Sequence, residues 1–281
     1  MAIRIVKPTT AGQRKMSYLV KNHLSNEDLP KNLLIKKKST SGRNAHGHIT
    51  VRHRGGGVKR HIRKVDFLRA DKMGIPAKVK ALHYDPNRSA FLALLYYVDG
   101  EKRLIIAPKE LEVGDEIVCD REAKIKTGNR MMLKNIPVGY KIHDLEMYVG
   151  RGGQIVRSAG SSARLVSLDG EMAQVELPSK EVRLFNKDCF ATIGEVSNED
   201  HSLVRIGKAG RVRKMGRRPQ VLGKSMNPCD HPHGGGEGHT SIGLIHPKTP
   251  WGAPALGKKT RSKRKPSGKF IVKRRTSRKK K

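Results

Sequence analysis

Ala77-Lys78-Val79-Lys80-Ala81-Leu82-His83-Tyr84 alternates apolar and polar residues, and Asp85-Pro86-Asn87-Arg88 follows it with a cluster of turn formers. A period of two puts every second side chain on one face, the pattern of a β-strand buried on one side. Residues 90–98 are then a continuous β-rich apolar run, Asp99-Gly100 is a hairpin dipeptide, and Arg103-Leu104-Ile105-Ile106 supplies the returning strand. Outward from this hairpin, strand-like segments recur at 111–118, 136–140, 164–168, 172–177, 182–185 and 190–193, with Asp169-Gly170 as a further turn. No stretch holds a 3.6-residue apolar period for three turns, so the chain reads as mostly β. Many short strands over 65–200 predict two small barrels rather than one large sandwich, because closure removes exposed strand edges. The break between them is placed at Thr127-Gly128-Asn129.

The charge is distributed unevenly around this core. The 281 residues carry 59 Lys plus Arg against 25 Asp plus Glu, a net of +34. Residues 1–64 hold a net of +14, residues 65–200 a net of −1 with nine of the twelve aromatics, and residues 201–281 a net of +21 with 12 Gly and 7 Pro. Self-repulsion on this scale calls for a polyanionic partner. The flanking arms bury too little apolar surface to offset their ordering entropy, and are expected to await an anion before ordering. The nine-residue apolar run is far short of the ~20 residues a membrane-spanning helix needs, so no membrane partner is expected. Arg4 and Lys7 interrupt any secretory h-region. Cys119, Cys189 and Cys229 form no Cys-x-x-Cys, so reduced thiols, a cytoplasmic setting and no zinc knuckle are expected.

Three motifs carry candidate chemistry. The first joins Ser41-Gly42-Arg43-Asn44-Ala45-His46-Gly47-His48 to a run from Arg52 through Arg54-Gly55-Gly56-Gly57-Val58-Lys59-Arg60 to His61. Glycines let a backbone approach a phosphate while flanking cations neutralise it, so Arg54, Lys59 and Arg60 are read as RNA contacts rather than as part of a solvated linker. The second, from Cys229 to His239, gathers a thiol, two carboxylates and three imidazoles. His231 and His233 flank a proline and Gly234-Gly235-Gly236 follow, so no strand or helix holds the groups to the ~0.5 Å that catalysis requires. No catalytic residue, metal or cofactor is expected there, and a Gly-rich loop threaded through folded RNA is the favoured account. The third is the pair of Lys/Arg runs at 258–265 and 273–281, which suit nuclear localisation, DNA or rRNA equally. Arg69, Lys72, Arg88 and Arg157 sit beside barrel-rim turns, and are either oligonucleotide contacts or ordinary surface charge.

The motifs Gly42-Arg43-Asn44, Arg54-Gly55-Gly56-Gly57, Tyr84-Asp85-Pro86-Asn87-Arg88-Ser89-Ala90, Asp99-Gly100-Glu101-Lys102-Arg103, Ile105-Ile106-Ala107-Pro108, Arg157-Ser158-Ala159-Gly160, Gly207-Lys208-Ala209-Gly210-Arg211 and Met226-Asn227-Pro228 with Asp230-His231-Pro232-His233-Gly234-Gly235-Gly236-Glu237-Gly238 resemble those of the bacterial form of universal protein two of the large ribosomal subunit. The resemblance implies an OB-fold barrel followed by an SH3-like barrel, flanked by long basic N- and C-terminal extensions. It divides the chain into 1–41, 42–126, 127–204 and 205–281. It implies large-subunit (23S-type) rRNA as partner, small-subunit rRNA at an inter-subunit bridge, neighbouring ribosomal proteins, and a non-enzymatic role supporting tRNA binding and the architecture around the peptidyl-transferase centre. The family's rRNA-binding cations fall on Arg69, Lys72, Arg88 and Arg157, and its motifs add Lys208 and Arg211. His231, His233, Gly234, Gly235 and Gly236 fall on the segment that approaches the peptidyl-transferase region. The chain departs from the family pattern at Val58, Lys214, Cys229 and Ala253.

Overall fold

Alternating and continuous apolar segments become antiparallel sheets in a computed structural model of the chain, which describes residues 3–238 and 240–275. Two short ribbons come first, β1 (Ile3–Ile5) with β2 (Ser17–Leu19) and β3 (Leu34–Lys36) with β4 (His61–Arg63). The deciding hairpin follows as β5 (Ala77–His83), β6 (Leu92–Tyr97) and β7 (Lys102–Ile106), and β8 (Glu116–Ile117) closes a four-stranded sheet of order β7-β6-β5-β8. β6 reads as an unbroken apolar run because it is covered on both faces. Ala77, Val79, Ala93, Leu95 and Ile105 pack into one core, while Ala81, Leu92, Leu94 and Leu104 pack into another. The pleat divides β6 and β7 between these cores, and a register shift between Val79 and Ala81 lets β5 serve both, since the extra residue turns Ala81 to the other face.

The second sheet is built from β9 (Arg130–Met132), β10 (Lys141–His143), β13 (Ala163–Ser167), β14 (Met172–Glu176), β15 (Val182–Asn186) and β16 (Phe190–Ile193), with β11 (Leu145–Glu146) and β12 (Gly153–Ile155) as a separate ribbon. Its core is Met131, Leu133, Ile142, Leu145, Leu165, Val175, Phe185 and their neighbours. The protein is thus mostly β, an OB-type barrel sheet followed by an SH3-like one. Between them, Ala90, Ile106 and Val196 form a small apolar seam flanked by Phe67, and Cys119 makes backbone bridges to both Met73 and Arg130.

A buried charge network locks this junction. Arg130 is 0% exposed; its guanidinium donates to the Asp144 carbonyl at 2.8 Å and to Glu146 at 3.0 Å, and lies 3.3 Å from the Asp144 carboxylate. The second Glu146 oxygen accepts the Phe190 N–H at 3.1 Å. Arg69, from the first sheet's side, donates to the Thr192 hydroxyl at 3.0 Å. Burial pushes the Asp144 carboxyl up, against the pull of Arg130, and pushes the fully enclosed His143 imidazole down to about 4.

Two strand expectations need correction, and one strand is unexpected. Of 111–118 only Glu116–Ile117 is strand, because Gly114 takes a φ of +102° and its N–H turns inward to the Val79 carbonyl. Residues 136–140 form a turn instead, with the Tyr140 N–H on the Pro137 carbonyl and Gly139 at φ +93°. In the basic C-terminal segment, the apolar pair Ile271-Val272 after Phe270 begins β17 (Ile271–Lys273), which pairs with β15 at the sheet edge. The structure divides into two compact units: Met1–Lys38 with Lys59–Lys208 and Lys269–Lys281, and Ser39–Val58 with Ala209–Gly268. The second contains α1 (Ala209–Lys214), the short 3-10 helix Gly223–Ser225 and isolated β-bridges among turns and loops.

Candidate nucleic-acid interface

The rim cations of the first unit differ sharply in how freely they present charge. Arg69 is 2% exposed in a left-handed turn at φ +54°, its N–H held by Asp66. Lys72 is 8% exposed; its ammonium pairs with Asp99 and, at 2.6 Å, with Glu101, and these bonds raise its pKa, Asp99 contributing most. Arg103 extends the cluster to Asp66 at 2.6 Å, to Glu101 at 2.9 Å and to Asp71; its hydrogen bonds lower the pKa of Asp71 and Glu101, and the bond from Lys72 lowers that of Asp99. In this arrangement Arg69 and Lys72 are built into the rim.

Arg88 and Arg157 are half-buried and converge on one aromatic ring. Their guanidiniums lie 5.6 and 4.5 Å from the Phe67 centroid. The turns bearing them are tied by the Ala159 N–H donating to the Ser89 hydroxyl at 3.1 Å, and Arg88 is oriented at 2.6 Å by Asp85, which is wholly buried. Arg60 donates to the Pro86 carbonyl at 2.8 Å, and Lys59 and Lys208 stand exposed.

In the second unit, glycines permit backbone against backbone. The Gly55 N–H donates to Gly216 at 2.9 Å, Val58 to Lys214 at 3.0 Å and Arg218 to His53 at 3.1 Å. A Cβ on Gly57 would stand 2.9 Å from the Gly216 Cα, so only glycine allows the approach. The result is a hollow of about 360 Å³ whose lining includes Arg43, Arg52, Arg54 and Arg218, with Ser41 and Gly56 and no acidic residue. All four arginines are exposed. Arg211 lies on α1 of the same unit, partly buried.

The loop around His231 is fixed from within. His231 is 8% exposed, and its ring sits where a side chain on Gly223 would stand. Its Nδ1 accepts the His233 N–H at 3.0 Å, and the His233 Nε2 accepts the Lys248 N–H at 2.8 Å. A Cβ on Gly234 would lie 2.2 Å from the Asn227 carbonyl oxygen and one on Gly235 2.9 Å from the Pro228 ring, while Gly236 takes a φ of +79°. The triple glycine is therefore demanded by the chain's own packing, a reason the sequence reading assigned to RNA. Among the described residues no three His, Cys, Asp or Glu side chains gather as metal ligands; His239 and the end of the 273–281 run lie outside the described residues.

Sequence reasoning missed the pairing of 39–58 with 209–218 and the carboxylates that hold Lys72, because partners far apart leave no local periodicity. Two family models match the chain: Ribosomal Proteins L2, RNA binding N-terminal domain, over residues 30–119, and Ribosomal Proteins L2, C-terminal domain, over residues 126–252.

Proposed function

From the premise that the chain belongs to the ribosomal protein L2 family, and so is an RNA-binding protein of the large ribosomal subunit, we propose that it acts as a structural constituent working by charge neutralisation and shape recognition. The observation that carries this reading is the hollow with four exposed arginines, glycine backbone and no acid, a setting for phosphate oxygens. Arg43, Arg52, Arg54, Lys59, Arg60, Arg157, Lys208, Arg211 and Arg218 make the phosphate contacts in this account, and Arg69, Lys72 and the Asp85-held Arg88 hold the rim that presents them. The loop 226–238 supports the architecture near the peptidyl-transferase centre, with His231 as a packed hydrogen-bonding ring. The finer roles in tRNA binding, in a bridge to small-subunit rRNA and in contacts to neighbouring ribosomal proteins belong to the same proposal, as does a non-enzymatic mode of action. Among the described residues no helix is long and apolar enough to cross a membrane.

Footprinting of the purified protein on large-subunit rRNA tests the proposal. Defined protections that survive an equal mass of duplex DNA at the same salt are expected, because folded RNA offers shape as well as charge. Equal competition by duplex DNA would overturn it in favour of a general polyanion binder.

A further inference from the structure

Pro247 to Ala255 form a tight hairpin in the second unit that the phosphate contacts do not use. Lys248 and Pro254 pair antiparallel, the Gly252 N–H donates to the Thr249 carbonyl at 2.9 Å, and the Thr249 N–H donates to the Ala253 carbonyl at 2.8 Å. Pro250 presets the first central φ of the turn, and Gly252 takes the left-handed position at φ +79° that closes a three-residue hairpin loop. The base of the hairpin is anchored where the Lys248 N–H meets His233.

At the tip stands Trp251, the single tryptophan of the sequence, 82% exposed. The Arg52 guanidinium lies 5.5 Å from its ring centroid. Folding alone does not account for holding so large an aromatic out in water on a constrained turn. The surroundings say what would cover it: Glu237 is the last acidic residue of the chain, and Lys248, Lys258, Lys259 and Arg261 lie beyond it. A cation beside the ring and a stretch of chain without carboxylates select a polyanion over an apolar protein pocket, and the indole face selects a nucleobase over a phosphate.

We propose that Trp251 is a stacking platform for one unpaired nucleobase of the bound RNA, with Arg52 beside the ring as a cationic partner. The strand must be unpaired there, since a duplex buries the faces of its bases. Stacking of one base typically changes affinity by about five- to a hundredfold. The inference rests on the RNA-binding reading, and its test separates the two.

Because Trp251 is the only tryptophan, the fluorescence of the full-length chain reports this site directly. The probes are single-stranded oligouridylate, an abasic phosphodiester strand of equal length and an RNA duplex, each carrying a label whose anisotropy records binding independently. The expected result is that all bind at low salt but only oligouridylate quenches Trp251. Trp251→Ala should lower oligouridylate affinity about tenfold without changing that for the abasic strand, and Trp251→Phe should retain most of the difference. Equal quenching by the abasic strand or the duplex overturns the inference, as does an alanine variant that weakens both single strands equally or neither. Failure of every strand to bind overturns the RNA-binding reading itself, and the inference with it.

Discussion

At the rim of the first barrel, Lys72 and Arg103 meet four carboxylates, Asp66, Asp71, Asp99 and Glu101. In the second unit, Arg43, Arg52, Arg54 and Arg218 line a hollow without one. The same residue types thus serve opposite physical ends. Within 65–200 the charges nearly cancel, and Lys72 and Arg103 find internal partners there and hold a turn. The second unit has 16 Lys plus Arg against 2 Asp plus Glu, and in the proposed function its surplus positive charge is relieved by an external polyanion. A basic residue in a matching motif is therefore insufficient evidence of an RNA contact. What decides is whether a carboxylate already holds it.

The paired half of the comparison breaks most visibly at Arg130. Arg130→Ala should leave Asp144 and Glu146 buried without a counter-charge and destabilise the fold by about 3–5 kcal/mol. Urea unfolding at neutral pH checks this, and a loss below about 1 kcal/mol would mean that the carboxyls protonate or find water at little cost.

A smaller effect belongs to His143. Its folded pKa of about 4 lies below the unfolded value of 6.5, so the unfolded chain binds the proton first. The neutral ring's contribution is whole above pH 6.5 and is lost as pH falls from 6.5 towards 4. Between pH 7 and pH 5 the loss should be about 2 kcal/mol. Asp144 shifts in the opposite sense, so the informative quantity is the difference between wild type and His143→Gln across that interval. Parallel pH profiles for the two proteins would rule out the imidazole as its source.

Much of this architecture is legible in the sequence because one-sided burial imposes period two, as in Met172–Glu176, and two-sided burial imposes an apolar run, as in Leu92–Tyr97. The register shift near Lys80 leaves no such trace, since the alternation continues through it. Residues 136–140 carry strand-like apolar residues, yet Pro137 and Gly139 make a turn, local chemistry prevailing over pattern. At the candidate interface, Arg54 and Arg60 were identifiable from their glycine-rich setting, whereas the burial of Lys72 depends on partners 27 and 29 positions away. Trp251 shows a related limit. Pro250 and Gly252 signal its turn, but its exposure follows only from the folded unit.

The most direct test of the contrast between paired and unpaired charge is the salt dependence of binding to large-subunit rRNA, measured on the full chain. Wild type should give a log–log slope steeper than about −5, and changing Arg43, Arg52, Arg54 and Arg218 together to Gln should reduce its magnitude by about 3, one phosphate per arginine. Lys72→Gln should move the slope by less than about 0.5, because that ammonium is already neutralised by Asp99 and Glu101. A slope unchanged by the four arginine substitutions but flattened by Lys72→Gln would contradict the account.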